Sequence, residues 1–148
     1  MRVPRPSDPR RSALMARVRQ RGTAAELVVA SALRSLGASY RLNVRTLPGS
    51  PDFANRTRRW AVFVHGCFWH RHAGCVRATV PKTNKKFWQT KFAANRVRDR
   101  RAIRMLRRSG YRVIVVWECE VENADALRAK LSQIFEARSV NVREPIDH

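Results

Sequence analysis

Two short apolar runs and the helical pattern between them constrain this chain more than any other feature. Trp60 to Val64 reads WAVFV and Tyr111 to Trp117 reads YRVIVVW, both buried-type runs of strand length. Between them a helical pattern runs from about Asn84 to Ser109 and is closed by Gly110. A helix joining two strands implies a mixed sheet with helices on its faces. Upstream, Thr23-Ala24-Ala25-Glu26 reads as a capping box, in which the Thr23 hydroxyl and Glu26 carboxylate satisfy free N–H groups of a helix start. Leu27, Ala30, Ala32 and Leu33 continue that helix, and Gly37 ends it. Residues 39–45 read as a short strand, Pro48-Gly49-Ser50-Pro51 as a turn, and Asp52-Phe53 as the opening of a second strand. Asn123 caps a last amphipathic helix through Leu127, Leu131 and Ile134. The order is helix, three strands, long helix, strand, helix, which makes a single α/β domain. Residues 11–136 form the expected folded unit, 1–10 a disordered basic arm with Pro4, Pro6 and Pro9, and 137–148 a disordered tail.

Charge narrows the partners. The 148 residues carry 31 Lys plus Arg against 11 Asp plus Glu, a formal +20. Such self-repulsion opposes compaction unless a polyanion neutralises it, and an arginine-rich surface offers forked donors that match phosphates. Nucleic acid is the expected partner; a basic ribosomal or membrane-surface protein is the alternative that composition leaves open. The helical pattern concentrates the charge: Lys85, Lys86, Lys91, Arg96, Arg98, Arg100, Arg101, Arg104, Arg107 and Arg108 stand against a lone acid, Asp99. Solvated helix faces normally mix signs, so this face is read as phosphate-binding. No apolar run is long enough to span a membrane, and the N-terminus lacks the apolar stretch of a secretory signal. A cytoplasmic protein is expected.

The chemistry gathers in HGCFWHRHAGC, residues 65–75. Three cysteines without a secretion signal point to metal rather than disulfides. Cys67, His72, Cys75 and Cys119 make a Cys3His set that matches a closed structural zinc site. The competing reading makes Cys119 a small buried hydrophobe and the others free thiols. His65 and His70 remain, with Asp52 and Glu26 as candidate carboxylates. If Asp52 opens one strand of a hairpin and His65 ends the other, the two meet at one sheet edge. A carboxylate there can hold Mg²⁺ and a histidine can act as general base. Taken singly, Asp52 also suits a turn and His65 a satisfied strand end. Phe68-Trp69 and Phe87-Trp88, interleaved with cations, are residue types that stack on or wedge between bases. The alternative is that they cover the metal site or fill core. For Phe68-Trp69, on a loop pinned at Cys67, burial of both is not expected.

Taken together these blocks resemble the very-short-patch-repair (Vsr) mismatch endonucleases, a branch of the PD-(D/E)xK nuclease superfamily with a restriction-endonuclease-like fold. The resemblance rests on Thr23 to Glu26, LPGSPDF at 47–53, VFVHGCFWH at 62–70, PKTN at 81–84 with Phe87-Trp88, Asn95 with RDRR at 98–101, and VWEC at 116–119. It covers roughly residues 11–136. It implies a Mg²⁺-dependent enzyme that nicks one DNA strand 5′ to the thymine of a T:G mismatch, the lesion left by deaminated 5-methylcytosine. By resemblance Asp52 and the main-chain carbonyl of Val64 hold the Mg²⁺, and His70 activates water. His65 assists through a water or on the phosphate side, and Glu26 is a more distant acid. The family also implies Cys67, His72, Cys75 and Cys119 as zinc ligands. Phe68, Trp69 and Trp88 would insert beside the mismatch from the major groove and Met15 from the minor groove, with Lys91 and Asn95 contacting the mismatched pair. The His72–Cys75 spacing is one residue longer than in some members, and Val64 stands where some have Thr. A ligating carbonyl survives that change. The expected state is a monomer on double-stranded DNA. The rival readings are another structure- or sequence-specific nuclease of the superfamily, and a zinc-stabilised DNA-binding protein without catalysis.

Overall fold

The computed structural model describes residues 23–76, 78–79 and 81–136. The basic arm, Met15 and the tail from 137 onward lie outside the described residues.

Helix α1 spans Ala24–Ser35, and Thr23 Oγ1 caps it by accepting from the Glu26 N–H at 3.3 Å. Ala25, Val29, Ala30 and Leu33 form its buried face, the spacing of a single helical stripe; Leu27 points to solvent. Leu36 caps the C-terminus and Gly37 follows in the left-handed region at φ 74°. The strand expected over 39–45 is shorter in the structure. Only Arg41–Leu42 (β1) pair, and both are exposed, because Asn43 turns into positive φ and little apolar surface holds this edge. Strands β2 (Phe53–Asn55) and β3 (Trp60–His65) form the expected antiparallel hairpin, with Phe53 opposite Val62.

Helix α2 spans Lys85–Arg108 and delivers the chain to β4 (Arg112–Trp117), which lies parallel to β3 with His65 opposite Trp117. The mixed sheet has the order β1-β2-β3-β4. A 3₁₀ turn, Glu118–Glu122, leads into α3 (Ala124–Leu131), whose N-cap Asn123 accepts from the Ala126 N–H at 3.0 Å. A second 3₁₀ turn at Ser132–Phe135 closes the described chain and carries Ile134.

Strand alternation sorts the sheet into two faces. Trp60, Val62 and Val64 of β3 join Ile114 and Val116 of β4 under α1 and α3. Ala61, Phe63 and Val113 pack against Ile103 and Leu106 of α2 on the other face. The parity places His65 on the α2 face, after Ala61 and Phe63. It places Asp52 there too, since Ala54 faces α2 and Phe53 does not. The inward stripe of α2 runs Trp88, Phe92, Asn95, Asp99, Ala102, Leu106 at alternating spacings of four and three. Its ends are buried and apolar, and its middle is polar.

Gly49, in the turn before Asp52, lets this arrangement close. It holds φ +73°, and a Cβ there would lie 2.6 Å from Ala102 Cβ and 3.0 Å from the Phe63 ring. Gly49→Ala is therefore expected to cost about 2–4 kcal/mol, from the left-handed backbone and from overpacking. A thermal melt checks this; an unchanged melting temperature would show that the turn and α2 separate at no cost.

Candidate active site and metal centre

The loop 66–79 leaves the end of β3 and carries two clusters side by side. In the first, the ligand atoms of Cys67, His72, Cys75 and Cys119 all lie within 4.8 Å of one another. His72 Nδ1 is 3.7 Å from Cys67 Sγ and 3.4 Å from Cys119 Sγ. A tetrahedral zinc with bonds of about 2.0–2.3 Å sets ligand spacings of roughly 3.3–3.8 Å, so the donor set and geometry fit such an ion. The longer His72–Cys75 spacing does no harm, because Gly74 turns at φ +71° in open space. His72 stacks on Trp117, with ring centroids 4.3 Å apart and planes within 10°. The turn bearing Cys119 is fixed from α3: Glu120 accepts from the Trp117 N–H at 3.0 Å and pairs with Lys130 at 2.8 Å. Burial pushes the Cys67 thiol up to about 12 and raises Cys119 as well. Neither thiol ionises readily at neutral pH without a cation.

The second cluster comprises His65, His70 and Asp99. His65 is 3% exposed and stacks face to face on His70, centroids 4.0 Å apart and planes within 6°. Imidazole lone pairs lie in the ring planes, and two parallel planes do not converge on one ion. The pair therefore suits proton transfer better than metal binding. His70 Nδ1 meets Asp99 Oδ2 at 2.6 Å, a short hydrogen bond that fixes the ring.

Asp52 Oδ2 accepts from the Val64 N–H at 2.7 Å. In an extended strand the N–H and C=O of one residue point to the same side, so the Val64 carbonyl faces the Asp52 side as well. A carboxylate beside a carbonyl is a hard oxygen donor set suited to Mg²⁺. Both border a cleft of about 620 Å³, together with His65, His70, Lys91 and Asn95. The structure thus brings Asp52, Val64, His65, His70, Trp69, Lys91 and Asn95 into one cleft. Glu26, on the first turn of α1, is not among the cleft's described lining residues.

The aromatic pairs form a third cluster. Trp69, Trp88 and Phe92 are buried, with Phe68 and Phe87 partly buried against them. Of Phe68-Trp69 only Phe68 stays partly open, while Trp69 packs 5.9 Å from Trp88. Lys91 covers the cluster, 5.4 Å from the Trp69 ring and 5.9 Å from Trp88. Asn95 Nδ2 donates to the Trp69 carbonyl at 3.2 Å and its Oδ1 accepts from Arg98, so it ties the loop to α2.

Asp99 is the residue that sequence reasoning left without a role. Two signals pointed to it: it is the sole acid of a basic helix, and it falls on the inward stripe of α2 where an apolar side chain is the norm.

A four-stranded mixed sheet with a carboxylate, a carbonyl near a strand end and an acid-held histidine on one cleft, under a basic helix, fits the restriction-endonuclease-like class of nucleases. Within that class the chain belongs to the DNA mismatch endonuclease Vsr family, whose model matches residues 6–77. It is 45% identical over 130 residues to a type II nicking enzyme, V.XorIIP, of Xanthomonas oryzae pv. oryzae, covering 88% of this chain and 95% of that protein. It is 42% identical over 117 residues to the DNA mismatch endonuclease Vsr of Escherichia coli K12, covering 79% and 74% of the two chains. A type II nicking enzyme of Neisseria meningitidis, V.NmeAIP, is 36% identical over 125 residues, covering 84% and 89%. No described helix is long and apolar enough to cross a membrane.

Proposed function

We propose that this protein nicks one DNA strand 5′ to the thymine of a T:G mismatch. The observation that carries the reading is the meeting of Asp52, Val64, His65 and an Asp99-held His70 in one cleft. Asp52 and the Val64 carbonyl would hold a Mg²⁺, which supplies polarisation of the scissile phosphate and a lowered pKa for water. His70 takes the water's proton at Nε2, because Nδ1 is committed to Asp99 and the proton there fixes the tautomer. His65, stacked on His70, keeps that ring plane constant and presents a second imidazole to the phosphate side. Glu26, in the first turn of α1, would be the more distant acid.

Recognition rests on the aromatic block. Phe68, Trp69 and Trp88 would insert beside the mismatch as one aromatic block; Phe68 is its partly open member, and Trp69 and Trp88, buried within the block, would have to be uncovered to reach a base. A T:G wobble is weakly paired, which makes wedging there cheaper than at a Watson–Crick pair. Lys91 and Asn95, which line the cleft beside the block, would meet the mismatched bases, and Met15 would enter from the opposite groove. Cys67, His72, Cys75 and Cys119 would hold a structural zinc that keeps the loop rigid.

Incubation with Mg²⁺ and duplexes carrying either T:G or T:A tests this. A single-strand nick confined to the T:G duplex is expected. Equal cutting of both sinks mismatch specificity, tight binding without cutting supports a non-catalytic binder, and nicking by Asp52→Ala overturns the mechanism.

A further inference from the structure

Arg71 lies between His70 and His72, and neither cluster uses it. In a chain of +20 its obvious use is a phosphate contact, yet its side chain turns inward. Nη1 donates to the Thr79 carbonyl at 2.7 Å and reaches the Phe68 carbonyl at 3.4 Å, and Nη2 donates to the Ala78 carbonyl at 2.7 Å. The guanidinium carbon sits 4.4 Å from the centre of the Phe92 ring, on α2. One side chain thus joins the start of the loop, its end and the helix that carries Asp99. A planar fork can satisfy two adjacent carbonyls at once while its face stacks on a ring; an ammonium cannot. The placement is not free. Burial, and then the Arg96 charge, disfavour the guanidinium, and the backbone of Arg71 is left-handed at φ 56°, where a side chain adds strain. Such costs persist where the surroundings hold the residue for a purpose. Arg71 also borders, with His70 and Asp99, a small cavity of about 110 Å³.

We propose that Arg71 is a positioning residue, a second clamp beside the Cys3His site, which spans residues 68 to 79 and sets the place of His70 against Asp99. The inference rests on the proposed role of His70, and it makes a separate statement about the loop. The metal site fixes Cys67, His72 and Cys75, and the Ala78 N–H donates to the Cys75 carbonyl at 3.1 Å; the Arg71 fork adds the ties to the Phe68 and Thr79 carbonyls that the ligand set does not make. Without the fork, the loop keeps its metal but loses the register of the histidine that precedes Arg71.

Arg71→Gly accepts the left-handed backbone and removes only the side chain; Arg71→Lys keeps the charge but reaches one carbonyl. Both are compared with the full-length protein for bound zinc, DNA affinity and single-turnover nicking. Arg71→Gly is expected to keep one zinc per chain and near-unchanged affinity, while its nicking rate falls by about 10²-fold, the scale of an ångström-level misplacement. Arg71→Lys falls between the two, and millimolar guanidinium chloride, against matched sodium chloride, partly restores Arg71→Gly. Amide exchange across 66–79 rises in Arg71→Gly. A full nicking rate in Arg71→Gly overturns the inference, as does an affinity loss equal to the rate loss, which would make Arg71 a DNA contact. Should Arg71→Gly lose zinc, Arg71→Lys decides: a wild-type rate there also overturns it. If the wild-type protein nicks nothing, the proposed function fails, and unchanged amide exchange in Arg71→Gly then rejects the clamp independently.

Discussion

Stripping the Cys67–His72–Cys75–Cys119 site with a chelator, and then restoring Mg²⁺ alone, is expected to abolish nicking and open residues 66–79 to protease. The sheet and helices should stay folded. Within the loop's described residues only Cys67 and Trp69 are buried, whereas both faces of the sheet have cores drawn from the strands and helices themselves. The loop thus lacks apolar surface to offset the roughly 1–2 kcal/mol per residue that ordering costs. A structural zinc supplies that energy directly; zinc-finger peptides gain about 10–16 kcal/mol from it near pH 7. The thiol shifts give the binding a sign with pH. With Cys67 pushed up to about 12 by burial, and Cys119 raised for the same reason, thiols are protonated in the metal-free protein at neutral pH. Zinc uptake then releases protons, and affinity weakens as pH falls, about tenfold per unit for each proton released. Measured proton release together with the protease pattern checks this. A chelated protein that nicks at its former rate would show that the cluster holds no needed metal.

The expected order of elements matched because each element follows a local rule. Thr23 and Asn123 cap helices through side-chain acceptors, and Gly110 follows the end of α2. The β2–β3 hairpin brings Asp52, just before β2, and His65, at the end of β3, to one edge of the sheet, so the meeting of a carboxylate with a strand-end histidine was legible in the sequence. What was not legible depends on contacts distant in sequence. Whether Trp69 is exposed depends on Trp88 and Phe92, which arrive from another element. The shortness of β1 reflects the missing neighbour at the sheet edge, which propensity does not register. Asp99 stood out by charge, but its task needed the 29-residue separation from His70 to be closed by folding.

That separation is also where a substitution should bite hardest in the reaction. Asp99→Asn is expected to slow single-turnover nicking by about 10²–10⁴-fold, the range for losing a working general base, while DNA affinity holds. The exchange is isosteric, so packing changes little, but an amide can donate to Nδ1 where the carboxylate could only accept. The ring proton then moves to Nε2, the atom that must be empty to receive one. His70→Ala should lose a similar factor. Because both changes remove one function, the double variant should be no slower than His70→Ala alone. A purely electrostatic Asp99 predicts otherwise. It sits beside Arg98 and Arg100 in a chain of +20, so removing its charge would tighten DNA binding and leave the rate near its original value. Additive losses in the double variant would likewise separate the two residues. A rate that depends on His70 and Asp99 together is the behaviour expected if the 2.6 Å contact between them serves the proposed proton transfer.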